Sequence, residues 1–246
     1  MLNKIKSILI YRIIKFAYLY ILYIFDYYKF FKINDSRFAL KWRNRHIQLY
    51  DRYGITKIDR HYIYHPAWAA RILALTNPKI HIDISSTVNF CSLVSAFIPV
   101  KFYDYRPTRI ELSGLQCDRE DLCNLTFENE SIESLSCMHV VEHIGLGRYG
   151  DPLSVDDDIK AMQELTRVLA VGGNLIFVVP IGVPIIQFNA HRVYSYDMII
   201  SYFKSLKLKE FSLVTMDSDK GIIKNASKEQ ADLEHYACGL FWFVKE

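Results

Sequence analysis

The chain has 246 residues, of which 51% are hydrophobic, so it is long and apolar enough to bury a core in one domain with an appendage. Its formal net charge of +3 is unevenly divided, because residues 1–32 carry six basic side chains and one acidic side chain, and the rest carries 24 basic and 26 acidic ones. The main body thus lacks the basic bias of a nucleic-acid-binding protein, and we expect no nucleic-acid partner.

Residues 1–32 predict an amphipathic basic helix. At 100° per residue most of their charged side chains share one sector, which Ile8, Leu19 and Leu22 interrupt. Lys and Arg beside Tyr and Phe suit a helix that lies in a membrane interface. The alternative is packing on its own domain or on a second copy of the chain. A spanning helix is least favoured, since the longest apolar run, 16–25, is half of the roughly 20 residues that a bilayer requires.

Residues 33–77 predict a helical connecting segment. Asp35-Ser36 is a candidate helix cap. A short helix is predicted over 67–75, because Pro66 suits its first turn and Asn77-Pro78 suits its end. We therefore expect the main domain to span 78–246.

From residue 79 onward predicted strands and helices alternate. The strands cover 79–84, 100–105, 114–117, 132–138, 174–180, 206–214 and 237–244, and the helices cover 88–96, 154–169 and 196–203. For the second helix, Ser154 is the predicted cap and Gly172-Gly173 the predicted stop. The pattern indicates an α/β fold with a Rossmann-like, mostly parallel sheet, an antiparallel last strand and an N-terminal helical extension. No helix is predicted between the last two strands.

In such a sheet, ligands bind beyond the carboxyl ends of the central strands. Candidate groups therefore follow four strands: 83–89, Asp104, Asp118 or Asp121, and 138–143. Asp104 lies 21 residues after Asp83, an offset that suits a carboxylate accepting hydrogen bonds from both ribose hydroxyls of an adenosine ligand. A capped turn is the alternative for each carboxylate taken alone.

Three segments resemble class I S-adenosylmethionine (SAM) dependent methyltransferases. Residues 121–127 (D-L-C-N-L-T-F) resemble the family's D-A-x-x-L-P-F, residues 139–143 (H-V-V-E-H) resemble H-V-L-E-H, and residues 164–173 resemble E-x-x-R-V-L-K-P-G-G. The resemblance covers 78–246, is clearest over 121–180, and implies a methyltransferase sheet with SAM as cofactor. The whole chain also resembles a bacterial branch of this superfamily known as a domain of unknown function.

The resemblance implies roles for particular residues. Asp104 would hold the ribose, Asp121 and Leu122 the adenine, and Asp83, Ser85, Ser86 and Thr87 the methionine end, with Met138 at the end of the fourth strand. The family's first motif is D-x-G-x-G-x-G, whereas residues 83–89 of this chain contain no glycine. Either serine and threonine hydroxyls replace backbone contacts to the cofactor carboxylate, or the pocket is remodelled and SAM does not bind.

The H-x-x-E-H letters of 139–143 also match a zinc peptidase pattern. That site needs both histidines on one face of a sustained helix, and a third ligand elsewhere. Here the preceding segment is a predicted strand, and Gly145 and Gly147 follow closely. We therefore expect neither zinc hydrolysis nor a metal site.

Three histidines are candidate general bases: His139, His143 and His191. A base is needed only if the methyl acceptor is a hydroxyl, and we favour His143; packing and capping are the alternatives. Arg148 is a candidate clamp for an anionic or sugar substrate, and the polar stretch 217–235 is a candidate mobile lid.

The sequence thus predicts a SAM-dependent methyltransferase-like protein that acts on a small-molecule or glycan-type acceptor near the membrane. We expect a cytoplasmic protein, peripheral on the inner membrane face through residues 1–32. Five cysteines without C-x-x-C spacing agree with a reducing compartment. The alternative is a catalytically inactive Rossmann-like scaffold of a membrane-associated assembly, which the loss of the loop glycines favours.

Overall fold

The computed structural model describes residues 2–34, 37–52, 58–217 and 219–246, with side chains from Lys6 onward. The predicted cap Asp35-Ser36 lies outside these residues. The chain divides into two compact units, Met1–Ile58 and Asp59–Glu246.

The first unit contains one long helix, α1 (Leu2–Ile33), as the sequence predicted. Most of its large apolar side chains are exposed, and Leu19 is an exception at 4% exposure. Later in the unit, Trp42 packs edge-on against the ring of Tyr27, with ring centroids 4.9 Å apart. The segment Lys6–Ile33 is long and apolar enough to cross a membrane, by length and composition only. A signal sequence near an N-terminus passes the same test.

The second unit is built around a seven-stranded sheet. Its strands are β1 (His81–Ile84), β2 (Val100–Asp104), β3 (Leu115–Arg119), β4 (Ile132–Met138), β5 (Leu169–Ile181), β8 (Lys207–Val214) and β9 (Ala237–Val244). Their order is β3-β2-β1-β4-β5-β9-β8. The first five strands are parallel, and β9 runs antiparallel to both neighbours. The predicted Rossmann-like, mostly parallel sheet with an antiparallel last strand is confirmed. Two short strands, β6 (Ile185–Gln187) and β7 (His191–Val193), form a separate hairpin that was not predicted.

Helices pack against the sheet, and the hydrophobic core consists of two clusters. They are α2 (Arg60–Thr76), α3 (Val88–Val94), α4 (Asp157–Val168), α5 (Tyr196–Tyr202) and α6 (Lys228–Asp232). Successive side chains of β5 alternate between the two cores: Phe177 lies in the cluster that contains Met162 of α4, and Val178 in the cluster that contains Trp68 of α2. This is the two-faced burial expected of a central parallel strand.

The boundary of the main domain lies earlier than predicted. Helix α2 begins directly after Asp59, whose side chain accepts a hydrogen bond from the Tyr62 amide, and Pro66 lies inside the helix instead of opening it. Trp68 and Leu73 are buried in the core of the second unit. The predicted boundary after residue 77 is therefore wrong, because α2 packs as part of this unit.

The bounds of α4 also differ from the prediction. The helix begins after Asp156, and the Ser154 hydroxyl donates to the Asp156 carboxylate at 3.0 Å instead of capping the helix. It ends at Val168 because Leu169 already pairs with Ile132 of β4. The predicted glycine stop at Gly172-Gly173 is therefore wrong, and both glycines lie inside β5.

The polar stretch between β8 and β9 contains the unpredicted helix α6. Ile223 exchanges two backbone hydrogen bonds with Leu213, at 2.9 and 2.8 Å, and the Ala226 amide donates to the Phe211 carbonyl. A capping box of Ser227 and Gln230 starts α6. Residues 223–226 therefore lie alongside β8. None of the described residues of 217–235 lines the cleft described below.

Candidate functional site

A cleft of about 450 Å³ opens where β1, β2 and β4 end, within the size range of small-molecule sites. Seven of the predicted site residues line it: Ser85, Ser86, Asp104, Asp121, Leu122, His139 and His143. Four do not: Asp83, Thr87, Met138 and His191. The carboxyl ends of the strands therefore bring most of the predicted set together.

The loop after β1 contains no glycine, but Ser85 has the left-handed backbone conformation that glycine favours. Ser85 occupies the first glycine position of the family motif and has φ +57°, which costs a residue with a side chain about 1–2 kcal/mol. Its amide and its hydroxyl both donate to the Tyr103 carbonyl, at 2.7 and 3.3 Å. Neighbouring β2 thereby holds Ser85 in the conformation that glycine adopts freely.

Asp83 does not line the cleft, and its carboxylate links β1 to β4 and to the following loop by hydrogen bonds. Its carboxylate is fully buried and accepts hydrogen bonds from the Ser136 hydroxyl and, at 3.0 Å, from the Ser86 amide. Burial raises the pKa of Asp83 to about 6, against the lowering effect of these hydrogen bonds. A fully buried side chain has no free surface for the methionine end of a cofactor.

Thr87 and Met138 also have structural roles. The Thr87 hydroxyl caps α3 by accepting from the Phe90 amide at 3.3 Å. The Met138 side chain is buried, and its amide donates to the Ser86 hydroxyl at 3.0 Å. Of the predicted methionine-end residues, only Ser85 and Ser86 thus reach the cleft.

Carboxylates line the cleft next to β2 and β3. Asp104 uses Oδ1 to accept from the Arg106 amide at 2.7 Å, and its Oδ2 has no hydrogen bond to a described residue. Asp121 accepts from the Cys123 amide at 2.9 Å, and Leu122 is buried beside it. Glu120, which the sequence analysis missed, also lines the cleft.

The loop 121–127 is held in place by the segment that resembles E-x-x-R. Arg167 makes two 2.7 Å contacts to the Glu164 carboxylate and donates to the carbonyls of Leu125 and Phe127, both at 2.8 Å. Glu164 in turn accepts from the Leu125 amide at 2.9 Å. Glu164 and Arg167 therefore do not line the cleft but fix the backbone of the loop 121–127, which forms part of its wall.

The segment H-V-V-E-H directly follows β4 and contains a three-residue 3₁₀ turn, Val141–His143. His139 has φ +56°, and its Nδ1 lies 2.8 Å from Glu142 Oε1. Burial lowers the pKa of His139 to about 4 and raises the pKa of Glu142 to about 7. His139 is therefore neutral near pH 7, and the sustained helix of a zinc peptidase is not formed, as the sequence analysis anticipated.

His143 has the geometry of a general base. Its Nδ1 lies 2.6 Å from the Ala190 carbonyl, which also accepts from Arg148 Nη1 at 3.0 Å. A carbonyl oxygen only accepts, so the 2.6 Å contact implies that Nδ1 carries the proton and that Nε2 has a lone pair. Arg148 Nη1 also lies 3.1 Å from Nδ1, and its hydrogen bond goes to the same carbonyl. Burial lowers the pKa of His143, which keeps the ring neutral. Arg148 itself does not line the cleft.

His191, on β7, lies outside the cleft lining. Its ring centroid is 6.3 Å from that of His143 and 5.3 Å from that of Tyr236. Of the three candidate bases, only His139 and His143 reach the cleft.

The glycine-rich loop 145–152, which contains the candidate clamp Arg148, completes the cleft. The Arg106 guanidinium lies over the ring of Tyr149, 4.5 Å from its centroid. The Asp151 carboxylate accepts from the amides of Gly145 at 2.8 Å and Tyr149 at 3.0 Å. Burial opposes the charge on Asp151, but the backbone hydrogen bonds outweigh it and lower its pKa. This compact loop gives the cleft an aromatic and a cationic edge.

The chain was compared with known protein families and with curated proteins. A family described as a Caenorhabditis protein of unknown function, DUF268, matches residues 122–230; this description names Caenorhabditis, whereas the sequence resemblance was to a bacterial branch. No curated protein matches the chain.

Several solved structures that resemble this chain are described as methyltransferases. A candidate sarcosine dimethylglycine methyltransferase from Galdieria sulphuraria has a TM-score of 0.52 at 12% identity, over 74% of this chain and 85% of that one. The N-methyltransferase NodS from Bradyrhizobium japonicum, in complex with S-adenosylhomocysteine, has a TM-score of 0.48 at 13% identity, over 73% and 85%. A candidate methyltransferase of Haloferax volcanii, in complex with the activator Trm112, has a TM-score of 0.49 at 15% identity, over 76% and 90%. The Galdieria structure shows that the fold is that of a methyltransferase.

Proposed function

We propose that this protein binds SAM in the cleft and transfers its methyl group to a small-molecule or glycan-type acceptor near a membrane. The observation that carries the proposal is the Asp104 carboxylate, which lines the cleft at the end of β2 with Oδ2 free of hydrogen bonds to described residues. On a methyltransferase fold this is the place for a ribose.

The residues of the cleft fit the parts of the cofactor. Asp104 would accept hydrogen bonds from the ribose hydroxyls, and Asp121 and Leu122 would contact the adenine. Ser85 and Ser86 would lie at the methionine end, where the left-handed backbone of Ser85 keeps the loop close to its glycine-containing form. Bound SAM would supply a methyl group on a positively charged sulfur.

The acceptor's proton would leave through His143. Its unprotonated Nε2 is the available base, because the proton on Nδ1 is directed to Ala190. Methyl transfer depends on in-line positioning of the acceptor, and a base contributes when the acceptor is a hydroxyl. Tyr149 and Arg106 at the cleft edge would contact the acceptor by stacking and by charge.

The long helix α1 supports a role at the membrane. Exposed apolar side chains cover most of it, and its basic residues would favour an anionic lipid surface. We propose a cytoplasmic enzyme held on the inner membrane face by α1.

The rival function is a catalytically silent scaffold of a membrane assembly, which the glycine-less first motif favours. Titration calorimetry with SAM and S-adenosylhomocysteine separates the two functions. We expect saturable binding by the wild-type protein, and roughly tenfold or greater weakening in Asp104→Ala, since a charge-assisted hydrogen bond is lost.

Two variants serve as controls for that titration. Asp118→Ala removes a nearby exposed carboxylate outside the cleft and should bind normally. His143→Asn should also keep its cofactor affinity, because the base contacts the acceptor. Absence of binding at about millimolar cofactor would refute the methyltransferase proposal and leave the scaffold.

A further inference from the structure

A buried cluster of metal-ligand side chains adjoins the cleft. It consists of His61 on α2, His139 after β4 and Cys238 on β9. Each offers one ligand atom, and these atoms all lie within 4.8 Å of one another. His61 is 6% exposed, His139 8% and Cys238 0%. Three distant parts of the chain thus bring nitrogen and sulfur donors to one point that water reaches poorly.

The spacing of these donors suits a tetrahedral ion. His139 Nε2 lies 3.4 Å from Cys238 Sγ. With metal–nitrogen bonds of about 2.0 Å and metal–sulfur bonds of about 2.3 Å, two ligands of a tetrahedral ion lie about 3.5 Å apart. The other separations in the cluster, all within 4.8 Å, require at most a small inward movement of side chains. The pair His139 and Cys238 is therefore already at coordination distance.

His61 and His139 each have a ring nitrogen whose lone pair is available to a metal ion. Glu142 holds His139 Nδ1 at 2.8 Å, so His139 Nε2 is the free acceptor. His61 Nε2 is buried without a hydrogen-bond partner. Since buried polar atoms are almost always paired, this orphan nitrogen is the observation that points to a ligand.

A fourth donor lies beside the cluster. His65 follows His61 by one helical turn, so both side chains share a face of α2. Its Nδ1 lies 2.6 Å from the His61 carbonyl and donates its proton there, and its Nε2 is buried without a partner. The ring centroids of His65 and His139 are 5.1 Å apart. His65 thus supplies a second orphan nitrogen next to the three clustered donors.

Glu142 has the role of a supporting carboxylate. Metal-bound histidines commonly donate their other ring N–H to a carboxylate, which fixes the ring and makes the ligand more basic. The carboxylate also balances the charge of the site. The formal charges of a divalent cation, the Cys238 thiolate and the Glu142 carboxylate add to zero. A neutral group of this kind is far less costly to bury than an unpaired ion.

We propose that His61, His139 and Cys238, with His65 in the fourth position, bind one Zn²⁺ ion. Mixed nitrogen and thiolate ligands in a tetrahedral arrangement are those that zinc prefers. With four protein ligands the site is closed and structural, and it ties α2 to the ends of β4 and β9. The ion also engages Nε2 of His139, so His143 is left as the base of the proposed transferase. The metal site does not depend on SAM binding.

Cobalt substitution tests the site in the full-length protein without a histidine tag. After treatment with a chelator, Co²⁺ is titrated while visible and near-ultraviolet absorption is recorded. We expect one equivalent to bind with the intense bands of tetrahedral cobalt and a thiolate-to-cobalt charge-transfer band. Zn²⁺ should displace the cobalt and raise the melting temperature of the wild-type protein.

Matched variants identify the ligands. Cys238→Ser should lose the charge-transfer band and the zinc-dependent rise in melting temperature, whereas Cys117→Ser, on β3 and outside the cluster, should keep both. His61→Gln should weaken cobalt binding by about tenfold or more, with circular dichroism confirming that the variant is folded. Asp104→Ala should bind metal normally, so loss of cofactor binding and loss of metal binding are distinguishable.

Two results would overturn the proposal. One is the absence of tetrahedral cobalt bands in folded wild-type protein. The other is a charge-transfer band that survives Cys238→Ser, which would assign the metal to a different thiol.

Discussion

His139 Nδ1 lies 2.8 Å from Glu142 Oε1, and the two side chains are 4% and 1% exposed. In this pair burial acts in opposite directions, because it lowers the pKa of the histidine and raises that of the glutamic acid. The pair therefore links the stability of the protein to pH.

The Glu142 side chain should make folding less favourable as pH rises. Its folded pKa of about 7 exceeds the ordinary value of 4.5, so the folded state binds the proton more tightly. This stabilisation is complete below pH 4.5 and is lost as pH rises to about 7. In metal-free protein, Glu142→Gln should therefore gain stability relative to wild type, by roughly 1 kcal/mol per pH unit in that window.

Urea denaturation at several pH values measures this effect. Glu133→Gln, an exposed position on β4, is the matched control and should follow the wild-type pH profile. If Glu142→Gln also runs parallel to wild type, the carboxyl group has no perturbed pKa and the prediction is wrong.

Arg167 should control the order of the cleft wall. Arg167→Ala removes its hydrogen bonds to Leu125, Phe127 and Glu164, which should cost about 1–3 kcal/mol of unfolding free energy. Hydrogen exchange at the Leu125 amide should accelerate, because Glu164 then loses the partner that orients it. Arg167→Lys should rescue little, since an ammonium group lacks the planar fork.

The comparison for Arg167 is Lys207→Ala. This variant breaks an exposed ion pair with Glu246, and such pairs contribute less than about 1 kcal/mol. Equal losses in the two variants would show that Arg167 has no special role in the loop.

Ser85 tests whether the loop after β1 tolerates a side chain. Ser85→Gly should be folded and should keep cofactor affinity, because glycine adopts φ +57° without strain while the amide contact to Tyr103 remains. Ser85→Val should lower the melting temperature and weaken SAM binding, since a β-branched residue is strongly disfavoured there. Thermal unfolding and calorimetry measure both effects. A Ser85→Val variant that matches wild type would exclude a strained loop at the cleft.

Helix α1 should determine membrane association. The full-length protein should co-sediment with anionic vesicles, and replacement of Lys6, Lys15, Lys29 and Lys32 by glutamine should reduce the bound fraction, because about 1 kcal/mol is lost for each basic residue near the surface. Alkaline carbonate should release a helix that lies in the interface and should leave a spanning helix in the pellet. Equal sedimentation with and without vesicles would eliminate the membrane role.

The sequence predicted the strands that hydrophobicity alone defines. The bounds of β4 and β9 match the predicted 132–138 and 237–244. Strand β9 is an apolar run that is buried on both faces, and β4 is buried at every position except Glu133. Helix α2 was predicted too short, because Pro66 suggests a helix start when neighbouring contacts are unknown. Only the burial of Trp68 and Leu73 shows that the helix belongs to the domain.

The candidate site was predictable where strand ends determine it. Asp104, Asp121 and His143 lie at the cleft because parallel strands end at one edge. Asp83 carried the same signal but is buried, and nothing in its immediate sequence reveals the Ser136 contact. The cluster of His61, His139 and Cys238 was missed, and the sequence analysis expected no metal site, because its members are brought together only by tertiary packing.

The position of β9 has a consequence for synthesis of the protein. This strand is the last in the chain, yet it fills the gap between β5 and β8. During translation the sheet stays open along β5 until residues 237–244 have left the ribosome. The sheet is therefore completed only when β9 has been synthesised, and until then the nascent chain exposes an apolar strand edge that chaperones would need to shield.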